Sequence, residues 1–342
     1  MQKTIINGGV TRQYQYGTFD YKTGIPPLTE GCAFSLAGWG CKPDLQHAGI
    51  GAKGTSIPQL WLCEESPTFA PVYQRLVVTG TKPEVITRNG ATAGVLYEDA
   101  YAQYCLLTGI LPADLSASRA DQTTSVFEEI EQILSTVGMT FDHVARTWLY
   151  MDKILEWYDP FNRARDAFFQ SRDIYNKLVP ASTGIGSANL FGAAIAANAI
   201  AVKPKGRSVS VQMVDSPLQC SALHYRSSFS RAVEIATPDY RSLLISGTAS
   251  IEQGGATAYV DDVEKQIELT MDVVEAILVS REMTWADTTR AVMYLKHPEY
   301  LPVWNRYLQK RGLHNMPLVN VHADVCRDDL LVELELDAVK KA

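Results

Sequence analysis

The 342-residue chain has no run of apolar residues long enough to span a bilayer; the most apolar stretch, "NLFGAAIAANAIAV", is too short. Its start, "MQKTIINGGV", lacks the basic-then-apolar order of a secretory leader. Cysteines are few and scattered. Cys32, Cys41, Cys63, Cys105, Cys220 and Cys326 form no CxxC pair, so neither a zinc cluster nor a disulfide framework is signalled, and a reducing, cytoplasmic setting is expected. The histidines, His47, His143, His224, His297, His314 and His322, have no metal-ligand spacing, and no metal is expected. Glycine-rich pieces such as "NGG", "GIGAKGTS" and "TGIG" lack the strand, spacing or Lys-Ser/Thr ending of a phosphate loop or dinucleotide turn, so no cofactor is expected either. Positive charge is also in deficit. With 31 Lys and Arg against 38 Asp and Glu, the net charge of −7 supplies no broad field for a nucleic-acid backbone and leaves room only for a local basic pocket. What remains is an ordinary globular composition, 46% hydrophobic and 20% charged, long enough for two or three domains and suited to a small-molecule partner.

A tandem duplication organises the chain. Shifting the sequence by 144 residues aligns "QTTSVFEEIEQILSTVGMTFDHVARTWLY" (122–150) with "QIELTMDVVEAILVSREMTWADTTRAVMY" (266–294) at eight identities, where about two are expected by chance. The identical pairs include Glu131/Glu275, Thr140/Thr284, Arg146/Arg290 and Tyr150/Tyr294; with a one-residue slip "FNR" at 161–163 matches "WNR" at 304–306. Each copy reads as an apolar strand ending at a glycine ("YCLLTGILP", "SLLISGTAS"), a helix with apolar positions at helical spacing, then a helix-start threonine. A second strand, a second helix and closing strands reached through Pro180 or Pro317 follow, giving the order β, α, β, α, β. The predicted units are a Gly-, Pro- and Thr-rich extension over 1–95, a first repeat over 96–205 and a second over 206–342.

The last strand carries an oddity. In "LLVELEL" (330–336) side chains alternate between faces, so Glu333 and Glu335 share one face while Val332, Leu334 and Leu336 take the other. That face meets either solvent or a cleft.

The phrases "LLISGTASI", "QIELTMDVVEAIL", "RAVMYLK", "PASTGIG" and "ADVCRDDLLVELELDAV" resemble the Rid (YjgF-like) fold, whose members are small chorismate-mutase-like trimers with ligand clefts between subunits. The longer arrangement, an extension plus two such repeats, with "WYDPFNRARDAFF" and "SALHYRSSFSRAVE", resembles the chorismatase family. The resemblance implies an α+β fold of tandem Rid-like repeats, mixed sheets with helices on one face. Two repeats supply two thirds of a Rid-like trimer, so the extension is expected to act as a degenerate third unit and the chain to be a monomeric pseudo-trimer, with a homotrimer as the alternative. It also implies cleavage of the enolpyruvyl ether of chorismate to pyruvate and either a dihydroxycyclohexadienoate or a hydroxybenzoate, 3-hydroxybenzoate being favoured. Rid imine deaminases carry a carboxylate-binding arginine shortly after the proline that opens the closing hairpin, a place that reads Leu318 here, which counts against deamination. The repeats differ at the acid too. Glu333 falls opposite Ala196 and Glu335 opposite Asn198, so one catalytic cleft per chain is expected.

Breaking the enol ether requires a proton delivered to the enolpyruvyl methylene. A carboxylic acid serves if burial and negative charge raise its pKa toward neutrality. Glu333 is the candidate acid, and the resemblance places the family's catalytic glutamate there. A dicarboxylate substrate calls for arginines and hydroxyls. Candidates are Arg163 and Arg165, on a helix with Phe161, Phe168 and Phe169; Arg146 and Tyr150 of "ARTWLYM"; and Tyr225, Arg226 and Arg231 of "LHYRSSFSRAVE". Recurrence of the pairs Arg146/Arg290, Tyr150/Tyr294 and Arg163/Arg306 leaves a shared structural role, such as a salt bridge between repeats, as an equal alternative. The small residues Ser246, Gly247 and Ala249 would let a ring lie against the backbone. Cys326 reads first as a small buried hydrophobe. In the hydroxybenzoate-forming chorismatases that the chain resembles, a cysteine seven residues before the glutamate lines the ring pocket, and this spacing matches. A Rid-like hydrolase and a metabolite-binding protein without activity are the other readings.

Overall fold

The computed structural model of the chain describes residues 2–26, 32–48, 58–64, 69–225 and 227–342. Along the chain come β1 (Gln2–Asn7), β2 (Val10–Thr18), β3 (Cys32–Cys41), the short helix α1 (Lys42–His47), β4 (Trp61–Glu64) and β5 (Val72–Thr79). Next are β6 (Glu84–Arg88), β7 (Ala91–Glu98), β8 (Ala102–Ile110), α2 (Arg119–Thr136), β9 (Val144–Met151), α3 (Tyr158–Ser171), β10 (Ala181–Gly186), β11 (Ala188–Asn189) and β12 (Ile195–Pro204). The last part holds β13 (Ser210–Val214), β14 (Ala232–Ala236), β15 (Tyr240–Ala249), α4 (Val263–Ser280), β16 (Thr288–Leu295), α5 (Leu301–Arg311), β17 (Leu318–His322) and β18 (Val332–Lys341). They form three six-stranded mixed sheets, ordered β1-β2-β5-β3-β4-β11, β10-β9-β12-β8-β7-β6 and β13-β14-β15-β18-β16-β17. The expected α+β class, mixed sheets with helices packed on one face, is what the chain adopts. The strands β6 and β7, most of which precede residue 96, pair into the second sheet.

The 144-residue shift maps structure onto structure. It carries Arg119–Thr136 onto Val263–Ser280 and Val144–Met151 onto Thr288–Leu295 without an offset. Both helices begin at a side-chain cap: Ser118 accepts from the Asp121 amide at 3.2 Å, and Asp262 from the Lys265 amide at 3.0 Å. Thr140 and Thr284 each open a short 3₁₀ turn, with His143 and Asp287 reaching back to their backbone amides. The apolar stripe of α2, including Val126, Phe127, Ile130, Ile133 and Leu134, packs with Phe161, Phe168 and Phe169 of α3 on the second sheet. In the same way α4 and α5 cover the third sheet through Ile267, Met271, Val274, Ile277 and Trp304.

A shared irregularity ties all three sheets together. The ladder between the central strands is bulged at Ala145 in β9–β12, at Thr289 in β16–β18 and at Leu36 in β3–β5. Aligning the bulges superposes Arg146, Arg290 and Ala37, and then Trp148, Val292 and Trp39. The parallel pairs β9–β10, β16–β17 and β3–β4 occupy equivalent places. The faces of the three sheets that carry no helices meet in a common core that includes Trp39, Trp148, Tyr150, Tyr294, Val233 and Leu330.

Candidate active site

Alternation along β18 works as the sequence predicts, and the polar face is a cleft and not solvent. Val332, Leu334, Leu336 and Ala338 pack under the helices of the third sheet, while Glu333, Glu335 and Asp337 point inward and are only 5%, 0% and 4% exposed. Three carboxyl groups so far from water need partners or protons.

Glu335 has partners. Arg146 donates from Nη2 to Oε2 at 2.9 Å, Arg290 donates from Nη2 to Oε1, and the Trp148 indole Nε1 donates to Oε1 at 3.1 Å. Both guanidinium groups lie over the Trp148 ring, at 4.5 and 4.9 Å from its centroid, which holds them in place. Arg290 also reaches Asp337 Oδ2 at 3.4 Å, and Arg146 donates to Thr183 Oγ1 at 2.7 Å. Burial pushes the Glu335 pKa upward, but Arg290 and Arg146 outweigh it and hold the group below the ordinary carboxylate value, hence ionised.

Glu333, two residues away on the same face, has a proton instead. Burial foremost, and then the charge of Glu335, raises its pKa to about 8 against the opposing pull of Arg146. At neutral pH it is a carboxylic acid. Its carboxyl group lies on the backbone of Gly247, where a Cβ would fall 1.8 Å from Oε1. The β15–β18 ladder is irregular between Ile245 and Thr248, and this lets Gly247 approach; its amide donates to Thr183 Oγ1 at 3.0 Å.

Around the acid is a cavity between the two repeats. From the first repeat come Tyr158 and Arg165 of α3 with Ser182 and Gly184 of β10; from the second come Gly247, Ala249, Ile251 and Glu333. Ser227, Phe229, Arg231, Cys326 and Arg327 close it, and Tyr158, Ser227, Cys326 and Arg327 also border an outer bowl lined by Trp157, Arg163 and Asp166. Burial, followed by the nearby Glu333, pushes the Cys326 thiol up to about 12, so the thiol is neutral. Arg165 and Arg231 are 2% and 3% exposed. Arg165 donates to Asn162 Oδ1 at 2.6 Å, and its buried Nε finds no partner among the described residues. Arg231 is braced by two bonds to the Cys220 carbonyl, at 3.0 and 2.8 Å, and Arg327 by one to the Gly255 carbonyl at 2.7 Å. Neutral Glu333 and Cys326 beside three guanidinium groups make a pocket of net positive charge. Among the described residues no group of three His, Cys, Asp or Glu side chains is placed to hold a metal ion, and no helix is long and apolar enough to cross a membrane.

Of the residues singled out from sequence, Glu333, Arg231, Gly247, Ala249 and Cys326 meet in this cavity. Arg163 lines the outer bowl. Arg146 and Tyr150 do not reach the cavity wall: Arg146 is committed to Glu335, and Tyr150 is buried edge-on against Trp39. Arg146 crosses from the first repeat to Glu335 of the second, as the alternative of a salt bridge between repeats has it, whereas Arg290 bonds Glu335 and Asp337 within its own repeat. Ser246 stands behind the wall, receiving the Ser182 amide at 2.8 Å and donating to the Ser230 carbonyl at 2.6 Å. Tyr225 ends the short turn Ala222–Tyr225, and Arg226 lies outside the described residues.

Arg165, offered together with Arg163, also lines the cavity; sequence reasoning passed over Tyr158, Ser182, Ser227, Phe229 and Arg327. Helical phase separates the two arginines: Arg165 shares the inward side of α3 with Phe161, Phe168 and Phe169, whereas Arg163 points outward. Leu318 pairs with Ala291 on β17, which borders the first sheet; the edge strand at the glutamate is β10, where Ser182 pairs with Thr147, the counterpart of Ala291. Ser182 thus holds in the first repeat the place that Leu318 holds in the second, and it is Ser182 that borders this cavity.

Residues 84–199 match the family model described as chorismatase FkbO/Hyg5-like, N-terminal. A chorismatase of Streptomyces hygroscopicus is 28% identical over 260 residues, covering 69% of this chain and 71% of that protein. A 3-hydroxybenzoate synthase of the same organism is 26% identical over 306 residues, 81% of this chain and 84% of its own length. A crystal structure of a chorismatase superposes with a TM-score of 0.73 at 20% identity, over 96% of this chain and 98% of that one, so the fold is shared throughout.

Proposed function

We propose that this enzyme, a homologue of the chorismatases by sequence and by fold, cleaves the enolpyruvyl ether of chorismate, with Glu333 as the acid that protonates the enolpyruvyl methylene. The observation that carries this reading is a buried carboxyl group whose pKa is raised to about 8, at a cavity also lined by Arg165, Arg231 and Arg327. A dianionic substrate suits a pocket of net positive charge, and Arg165, one of its lining residues, keeps an Nε with no partner among the described residues.

The proton moves from Glu333 to the terminal carbon of the enol ether, and the ether carbon becomes an oxocarbenium ion. As Glu333 ionises, the new carboxylate and the cation neutralise one another in a site of low dielectric. Capture of the cation by water and collapse of the hemiketal yield pyruvate and a dihydroxycyclohexadienoate, with one water consumed. Pyruvate and a hydroxybenzoate together contain only the atoms of chorismate, so that outcome consumes none. Cys326, a neutral thiol against the acid, occupies space that a water would need, and this supports 3-hydroxybenzoate as the product. With all three sheets in one chain, a pseudo-trimer acting as a monomer is the proposed assembly. Incubation with chorismate, with products resolved by chromatography and proton NMR, tests the reading: pyruvate with 3-hydroxybenzoate is expected, and unchanged chorismate refutes it.

A further inference from the structure

The three sheets allow a comparison that one site alone does not. Carried through the common bulge, the place of Glu333 is taken by Ala196 in the second sheet and, counting two residues back from Val72, by Ala70 in the first. The place of Glu335 is taken by Asn198 and Val72, each opposite a tryptophan, Trp148 and Trp39. Where the acid is absent, its neighbour is uncharged: Asn198 accepts from the Gly109 amide at 2.8 Å, and Val72 is an aliphatic core residue. The two carboxyl groups therefore occur together in one cleft and are missing together from the other two.

Resting on the reading of Glu333 as the proton donor, we propose that Glu335 is a positioning residue: an anion locked by Arg146, Arg290 and Trp148, whose fixed charge keeps the proton on Glu333. The charge of the two guanidinium groups does most of the locking, and the indole orients the carboxylate. Two facing carboxyl groups ordinarily share a proton without preference, and the pair of guanidinium groups plus the indole, all directed at Glu335, decide which one ionises. Other groups face Glu333 as well. On its own strand Asp337 lies one pleat beyond Glu335; β9 and β16 present Arg146, Tyr150, Arg290 and Tyr294. From α3 come Tyr158 and Arg165, and from the loops Arg231, Cys326 and Arg327. The cations all favour ionised Glu333 and the neutral phenols and thiol carry no charge, so the anion that opposes ionisation at closest sequence range is Glu335.

The test reads the proton directly in ligand-free enzyme. Infrared difference titration follows the C=O stretch of the protonated carboxyl that Glu333→Gln removes, in the parent and in Glu335→Gln. The parent midpoint is expected near the value of about 8, and Glu335→Gln is expected to lower it by about one pH unit or more, since the anion is gone and two guanidinium groups lose their partner. The basic limb of the pH profile for chorismate turnover should move with it. Trp148→Phe removes a hydrogen bond but no charge, so its midpoint should stay within about half a unit of the parent. An unmoved midpoint in Glu335→Gln, or an equal fall in Trp148→Phe, overturns the proposal. If Glu335→Gln does not fold, Glu335→Asn, the residue found at the equivalent place in the second sheet, substitutes: a midpoint lowered by about one pH unit or more supports the charge mechanism, and an unmoved one refutes it. Because the titration uses no chorismate, an enzyme inert toward chorismate would refute the proposed reaction while the proton question is still answered.

Discussion

The carboxyl group of Glu333 rests on the backbone of Gly247 so closely that any Cβ there would lie 1.8 Å from Oε1 and 2.9 Å from Cδ. The glycine is required by that contact, and the carboxyl cannot yield without leaving the position from which it meets the cavity. Gly247→Ala is therefore expected to fold, because the strain falls on side chains, Glu333 first and Thr183 Cγ2 at 3.2 Å second, and not on backbone, but to lose about 100-fold or more in pyruvate release. Circular dichroism and a coupled pyruvate assay check both halves.

A buried neutral acid also makes stability depend on pH. In the unfolded chain Glu333 ionises near its ordinary value of 4.5, and in the fold it keeps its proton to about 8. The folded state binds more protons between those limits, so this contribution is fully present below 4.5, declines as pH rises and is lost above about 8. Glu333→Gln has no such loss. Its melting temperature relative to the parent should rise steadily from pH 5 to pH 8, by an amount on the order of a few kcal/mol in stability. Differential scanning calorimetry across that range checks it; a constant difference contradicts it.

Cys326→Ala is expected to change the products more than the rate. The smaller side chain leaves room beside the acid for a water, while Glu333, Gly247 and the arginines are untouched. The share of dihydroxycyclohexadienoate should rise, with total pyruvate release within about threefold of the parent. Chromatography of the product mixture measures it.

The loop that supplies Ser227, Phe229 and Arg231 is tied to α3 by a compact network. Tyr175 donates to Asp166 Oδ1 at 3.2 Å and meets Ser228 Oγ at 2.5 Å, and Ser228 bonds to Asp166 as well. None of these three lines the inner cavity beside Glu333. Ser228→Ala should loosen the roof over the substrate, raising KM for chorismate by about 10-fold with a smaller effect on kcat. A fall in kcat at constant KM would contradict that role.

Period and repetition carried much of this structure in plain view. The 144-residue self-match located two helices and two strands to the residue, and strand alternation put Glu333 and Glu335 on one face. Whether that face was wet could not be read from the strand, because its burial depends on β9 and β10 of the other repeat. Arg146 misled for the same reason. An arginine beside a tryptophan and a tyrosine reads equally as a ligand for a substrate or as a partner for Glu335, 189 positions away, and only the fold brings the two together. Ser182 and Arg327 carry no local sign of function, since each matters only through the cavity it borders.

Pyruvate release from chorismate by the parent enzyme and by Glu333→Gln, compared at pH 7 under saturating substrate, addresses the central claim most directly. The glutamine keeps shape and polarity but has no proton to transfer, so loss of the diene absorbance and appearance of pyruvate should slow together by about 100-fold or more, with chorismate still bound. Release of pyruvate by Glu333→Gln at the parental rate would contradict the assignment of Glu333 as the acid.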